Sequence, residues 1–288
     1  MMKEPTMTSP TPPKLDVRNL DVGFPAGATV IPAVRGVSFQ LTREKLAIVG
    51  ESGSGKSTVG RSLLKLHPRS ARIAADTLSF GGIDLLTADE RTMRGIRGRR
   101  MSMIMQDPKY SLNPVMRLGD QIAEAYLAHH KASRAEARDR VLAMLESVRI
   151  RDPQRVFRQY PHEVSGGMGQ RIMIAMMLIQ EPEIVIADEP TSALDISVRL
   201  QVLSVLDELV NERGLGLLFI SHDLNLVRHF CDRVLVMYAG RVVESIAAAD
   251  LHRAEHPYTR GLLDALPSLD QRRRTLPVLQ RDAAWLTA

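Results

Sequence analysis

An α/β fold on a mostly parallel sheet is predicted by three features of this 288-residue chain. Gly50-Glu51-Ser52-Gly53-Ser54-Gly55-Lys56-Ser57 follows the phosphate-loop pattern G-x-x-x-x-G-K-[S/T], set between an apolar strand and a helix. Two further apolar runs, Ile184-Val185-Ile186-Ala187 and Leu217-Leu218-Phe219-Ile220, each lead into a polar turn and a helical pattern, as βαβ units require. Between the loop and these runs, residues 118–179 change to a helical period, which predicts a helical insertion inside the α/β frame.

Met1 to Pro13, rich in proline and threonine, is expected to be a flexible tail that buries too little surface to order. Leu15 to Phe24 and Val34 to Leu41 alternate as strands, so an antiparallel β region precedes the loop. Leu46-Ala47-Ile48-Val49 is a buried strand that delivers it. Gly50, Gly53 and Gly55 let backbone N–H groups converge on phosphates, with Ser52, Ser54 and Thr58 in the same set. Lys56 adds a point charge beside the β and γ groups, and Ser57 would hold Mg2+ through its hydroxyl. The pattern therefore predicts binding of a nucleoside triphosphate.

The helix from Lys56 is expected to run to about Leu66, before Pro68. Asp76 to Phe80 and Met101 to Met105 read as strands, the second closed at Gln106-Asp107-Pro108. In the helical block, Ile122, Ala125 and Tyr126 share one face, and Val141, Leu142, Met144, Leu145 and Val148 another. Val164 to Arg171 opens a helix with Ser165 as its cap and glycines exposing N–H groups as a second anion site; Ile172 to Ile179 continues it as a buried segment. Val234 to Tyr238 and Arg241 to Ser245 form a hairpin across Ala239-Gly240. Beyond Leu251, two short helices at most are expected, with Tyr258, Leu262, Leu263 and Leu266 as a docking stripe.

Length allows one large core with a subdomain, hence one nucleotide unit, and no second phosphate loop is found. The single Cys231 excludes an intrachain disulfide, reads as a packed small side chain, and fits a reducing compartment. No stretch approaches the roughly 18 to 20 apolar residues that span a bilayer, and the N-terminus lacks the apolar core of a signal peptide, so a chain soluble by itself is expected. The formal charge of +5 comes from scattered arginines, with short runs at Arg97-Gly98-Arg99-Arg100 and Arg272-Arg273-Arg274. These read as a solvated face, and no nucleic-acid partner is expected. His129-His130 reads as a solvated helix end.

Asp188-Glu189 follows the apolar strand Ile184 to Ala187 at its C-terminal end, where ligands of open α/β sheets bind. Asp188 would hold the metal, directly or through its hydration shell, and Glu189 would orient or deprotonate the attacking water. The phosphate loop, Gln106, Ser165-Gly166-Gly167-Met168, Asp188-Glu189, Ser192-Ala193-Leu194-Asp195 and Ser221-His222-Asp223 together resemble the ATP-binding subunit of ABC transporters over nearly the whole chain.

The resemblance implies a P-loop NTPase core with an N-terminal antiparallel β subdomain and an inserted helical subdomain at about 107–180, the whole ATPase domain spanning 14–250 and an extension 251–288. It carries Phe24 as the aromatic that stacks on adenine, worth about 1 to 3 kcal/mol by analogy with base stacking. Gln106 senses Mg2+ and the γ-phosphate and links to the membrane subunit; Ser165, Gly166, Gly167 and Met168 form the signature loop that contacts the opposite subunit's γ-phosphate. Asp195 belongs to the dimer-contact loop, and His222 is the switch histidine that holds Glu189 and the γ-phosphate. ATP and Mg2+ are the implied ligands. The implied partners are a second ATP-binding subunit, two transmembrane permease subunits and, indirectly, a solute-binding protein, with the chain peripheral at the cytoplasmic face of the inner membrane.

Gln106-Asp107-Pro108-Lys109-Tyr110-Ser111-Leu112-Asn113-Pro114 and His256-Pro257-Tyr258-Thr259 resemble the oligopeptide, dipeptide and nickel importers. Import of a peptide-like or nickel-chelate solute is the implied function. Three positions depart from the family pattern: Arg43 stands where the turn usually has glycine, Met168 where the signature has glutamine, and Gly169 where arginine is common and where glycine would loosen the helix start. Two rivals remain at this level. A soluble ATPase of the same superfamily, serving a phosphonate-cleaving complex or a nucleic-acid process, would share every ATP motif, whereas a small-molecule kinase would share only the phosphate loop.

Overall fold

A computed structural model describes residues 14–266 together with Asp282 and Trp285. The tail at Met1 to Pro13 and the Arg272 to Arg274 run lie outside the described residues. Eleven strands form two sheets among the described residues. The first is antiparallel: β1 (Leu15–Ala26) lies between β2 (Thr29–Leu41) and β5 (Thr77–Phe80), with β4 (Arg72–Ala74) also on β1 and β6 (Ile83–Asp84) at the edge.

The second sheet has the order β11-β10-β3-β9-β8-β7, from β3 (Lys45–Val49), β7 (Met101–Ile104), β8 (Ile184–Asp188), β9 (Gly216–Ser221), β10 (Arg233–Tyr238) and β11 (Arg241–Ala247). All its pairings are parallel except the β10–β11 hairpin. Strands covered on both faces need continuous apolar runs, and every residue of β7, β8 and β9 is buried. Successive side chains then serve two cores. Leu46, Ile48, Ile184, Ile186, Leu218 and Ile220 face the antiparallel sheet and α1 (Lys56–Leu63), while Ala47, Val49, Val185, Ala187, Leu217 and Phe219 face the helical side.

The helices on that side follow local signals. After α2 (Glu90–Ile96), capped by Asp89, and α3 (Pro108–Ser111), the block comprises α4 (Leu118–Leu127), α5 (Arg134–Ser147), α6 (Pro153–Arg158) and α7 (Gly166–Leu178). Ser133, Asp152 and Ser165 cap α5, α6 and α7 through side-chain oxygens that accept backbone N–H groups. α8 (Ile196–Arg213) packs on α7 and α9 (Leu224–Phe230) on β3, both within the core on the helical side, and α10 (Pro257–Asp264) follows a short 3-10 turn at Ala248–Arg253.

One expectation needs correcting, and two positions gain detail. α1 ends at Leu63 rather than near Leu66, because Lys65 adopts φ 49° and the Leu66 N–H donates to the Arg61 carbonyl, closing a Schellman turn. Pro108 does more than end a strand: it is the first residue of α3, where its missing N–H costs nothing. Arg43 is not among the positive-φ residues, so the turn it occupies does not need glycine.

Candidate functional site

The site gathers at the C-terminal ends of β3, β8 and β9, where the parallel strands all point their last residues the same way. Gly50 and Gly55 are required by the phosphate loop's path. Gly50 has φ 152° and a Cβ there would lie 2.2 Å from the Met237 carbonyl; Gly55 has φ 101° and its Cβ would lie 2.4 Å from the Ala33 carbonyl. The loop is thus pressed against β2 and the end of β10. The Gly240 N–H, in the β10–β11 turn, donates to the Ser54 carbonyl at 3.0 Å.

Lys56 is 5% exposed, and its ammonium donates to the carbonyls of Gly50 and Glu51, both at 2.8 Å. Burial holds it below the ordinary lysine value, opposed by the charges of Glu189, Asp188 and Glu51. Ser57 Oγ donates to Asp188 Oδ1 at 2.7 Å. Burial raises the Asp188 carboxyl above its usual range, against the Ser57 hydrogen bond and the positive charges of Arg61 and Lys56. The hydroxyl of Ser54, in the loop wall, is buried without a hydrogen-bond partner.

Glu189 sits one residue past the buried strand with φ 47°, a strained conformation for a non-glycine residue. Its N–H donates to the Ile220 carbonyl at 3.0 Å, tying it to β9. That turn aims the carboxylate between two polar groups: His222 Nδ1 is 3.1 Å from Oε1, and Gln106 Nε2 is 3.5 Å from Oε2. The Glu189 side chain is 17% exposed and that of His222 57%, so the acid is sheltered while the imidazole lies at the surface.

The remaining predicted residues lie around this centre. Phe24, near the end of β1, is half-buried, with its ring edge-on to His67 at 5.4 Å. His67 Nε2 lies 3.1 Å from the Thr58 carbonyl and 3.0 Å from Ser62 Oγ, so it joins Phe24 to α1. Ser165 caps α7, and Ser165 and Gly166 are exposed. Ser165 and Met168 line a cavity of about 480 Å³ with Arg149, Arg151, Arg155 and Arg171, rather than with the phosphate loop. Asp195 caps α8, accepting from Val198 N–H and Ser197 Oγ, which holds its carboxyl below the ordinary value. At Gly169, α7 runs on as helix from the Ser165 cap, and a Cβ there would rest 3.6 Å from Pro108 of α3. Tyr110 and Val115, in the stretch after Gln106, are 91% and 79% exposed.

Two contacts escaped the sequence. His67 carried no motif, and its place beside Phe24 needs the pairing of β1 with β2 and the turn after α1. Tyr258 stands out in the sequence within His256-Pro257-Tyr258-Thr259 and as part of an apolar stripe, but neither signal points to the phosphate loop; it is fully buried, and its hydroxyl accepts the Glu51 N–H at 3.1 Å. Among the described residues, no cluster of three or more histidine, cysteine or carboxylate groups forms a metal cage. Ser57 and Asp188 suit Mg2+, which takes one or two protein oxygens and completes its shell with phosphate and water.

Known proteins match this arrangement. The ABC transporter family pattern matches residues 34–192. A probable peptide ABC transporter ATP-binding protein of Sinorhizobium fredii is 49% identical over 262 residues, covering 90% of this chain and 78% of that protein. A dipeptide transport ATP-binding protein of Bacillus subtilis is 48% identical over 259 residues, 89% of this chain and 77% of the relative. Among solved structures, a dimeric ATP-binding cassette in a post-hydrolysis state with ADP and Pi superposes with a TM-score of 0.70 at 26% identity, over 81% of this chain and 98% of that one. The protein cbiO1 of Clostridium perfringens, part of the ABC transporter complex cbiONQ, gives 0.69 at 25% identity, over 84% and 91%.

Proposed function

This chain belongs to the ABC transporter ATP-binding family, and from that membership we propose that it binds and hydrolyses ATP to power import of a peptide-like solute, with Glu189 as the residue that activates water. The observation that carries the catalytic assignment is the Glu189 carboxylate held between His222 at 3.1 Å and Gln106 at 3.5 Å. Such a carboxylate can accept a proton from water while its partners fix its direction.

Lys56 would leave the Gly50 and Glu51 carbonyls for the β and γ phosphates, which offer it a stronger, charged partner. Ser57 and Asp188 would hold Mg2+, with Gln106 at its edge; the ion would neutralise charge on the phosphates. The raised Asp188 supports this role, because a carboxylate costly to keep charged gains most from a cation. Phe24 would stack on adenine, and Ser52, Gly53, Ser54, Gly55 and Thr58 would present donors to phosphate. His222 would orient Glu189 and contact the γ-phosphate.

Cassettes of this family work as dimers with transporter components. Ser165 and Gly166 are exposed and Met168 half-buried, while Gly167 is buried against α8; Ser165 and Met168 line a cavity apart from their own phosphate loop, which supports contact with the nucleotide of a second subunit. Two permease subunits would seat near Tyr110 of α3 and Val115 in the turn after it, two large apolar side chains left exposed. No described helix is long and apolar enough to cross a membrane, so attachment to the cytoplasmic face would run through those subunits. Our working division is an ATPase unit at 14–250, a helical part at about 107–180 and an extension from 251.

The peptide assignment rests on the named relatives. It is tested by purifying the chain in complex with its membrane subunits and measuring ATPase activity in liposomes. Stimulation by peptide with its binding protein is expected. Activity unresponsive to peptides, but present in a phosphonate-processing complex, would replace import by the soluble-accessory reading.

A further inference from the structure

The extension after Leu251 reaches the phosphate loop itself. Tyr258 is fully buried at the start of α10, yet its hydroxyl bonds outside its own helix, accepting the Glu51 N–H at 3.1 Å. The same peptide unit carries the Gly50 carbonyl, to which Lys56 donates at 2.8 Å. Lys56 and Tyr258 therefore grip opposite ends of one peptide. Once Lys56 turns to phosphate, the tyrosine hydroxyl still holds the N–H end.

Around Tyr258 lies a small aromatic cluster. Tyr238, the last residue of β10, packs at 4.6 Å between ring centroids, and Trp285 lies 5.8 Å from Tyr258 and 5.6 Å from Tyr238. The β10–β11 turn beside Tyr238 also bonds the loop, through the Gly240 N–H and the Ser54 carbonyl. Two backbone points of the loop are thereby held by elements packed on one aromatic group. The fold supplies a direct path from nucleotide site to C-terminal segment.

We propose that Tyr258 is a positioning residue of the phosphate loop, fixing the peptide between Gly50 and Glu51 and reporting nucleotide occupancy to Trp285 through the aromatic cluster. This rests on Gly50 to Ser57 being the ATP site. The test uses the full chain, ATP and Mg2+, and the variant Tyr258→Phe, which keeps the ring and deletes only the hydroxyl. The KM for ATP should rise roughly fivefold, the size of one lost hydrogen bond, with kcat within about twofold of the parent. Trp285 is the single tryptophan of the chain, so its emission reads the cluster alone. ATP should shift that emission in the parent and shift it less in Tyr258→Phe.

Unchanged KM and an unchanged Trp285 response would overturn the proposal, as would a lowered melting temperature with KM unaltered. Lys56→Ala separates the two readings. If the parent binds no ATP, or Lys56→Ala binds it as well as the parent, the nucleotide site itself is wrong; if only Tyr258→Phe is silent, the positioning role alone falls.

Discussion

Asp188 shows how a single residue can be stable-state cost and functional asset together. Burial raises its carboxyl above the ordinary 3.8, so the folded chain binds this proton more tightly than the unfolded one. Its contribution to stability therefore falls as pH rises from about 3.8 through the raised folded value, and at neutral pH the charge is a burden. Asp188→Asn should raise the thermal midpoint of the nucleotide-free protein at pH 7 while removing most Mg2+-dependent hydrolysis; calorimetry and a phosphate-release assay read the two effects. Glu189→Gln should lower kcat by about a hundredfold or more, a general base being worth about 10² to 10⁴, with ATP affinity near the parent's. Equal turnover in Glu189→Gln would remove it from the chemistry. Cys231 is 8% exposed and burial pushes its thiol well above the ordinary range, so thiol reagents should label it only after denaturation.

At the scale of elements, the contact between α7 and α8 is set by a missing side chain. A Cβ at Gly167 would come within 2.3 Å of Val198 Cγ1 and 3.6 Å of Val198 Cβ. Alanine in place of a helix glycine otherwise stabilises by about 0.5 to 1 kcal/mol. Here the clash dominates, and Gly167→Ala should cost about 1 to 3 kcal/mol in chemical denaturation. Val198→Ala removes the offending methyl, so the double variant should recover much of that loss, a coupling that a mutant cycle measures. Additive effects would show that the helices part freely. The same tight seam carries the signature loop at one end of α7 and Asp195 at the start of α8, so the two predicted dimer-facing loops are spaced by one packed pair of helices.

For the whole molecule, the proposal that two subunits share each ATP site starts from Ser165 and Met168 lining a cavity that no phosphate-loop residue lines. With ATP and Mg2+, Glu189→Gln should elute from a sizing column at twice the monomer mass, because the nucleotide that bridges the halves is not consumed. Gly166→Asp in that background should abolish pairing through repulsion of the γ-phosphate but leave monomer nucleotide binding intact. Pairing that ignores both ATP and Gly166→Asp would place the interface elsewhere.

Much of this was legible before folding because the signals were local. Buried parallel strands must be apolar along their length, so Leu46 to Val49, Ile184 to Ala187 and Leu217 to Ile220 stood out. Glycine spacing and the acids after β8 located the loop and the carboxylate pair by the same logic. α2 and the short strands β4 and β6 did not stand out, since a helix of 7 residues and strands of 3 and 2 carry too little periodicity. The end of α1 was misjudged because Lys65 supplies a left-handed turn that its residue type does not advertise.

Chain chemistry alone thus determined the α/β frame, the order of its βαβ units and the residues proposed to meet a triphosphate and its metal, since each depends on near neighbours. Tertiary structure decided that Glu189 lies between Gln106 and His222, that His67 braces Phe24, and that Tyr258 reaches Glu51. Those pairs are separated by 83, 33, 43 and 207 positions for Gln106–Glu189, Glu189–His222, Phe24–His67 and Glu51–Tyr258 respectively. A hydrogen bond depends on ångström-scale direction, and no periodicity along a chain encodes direction between elements that meet only when the sheet closes.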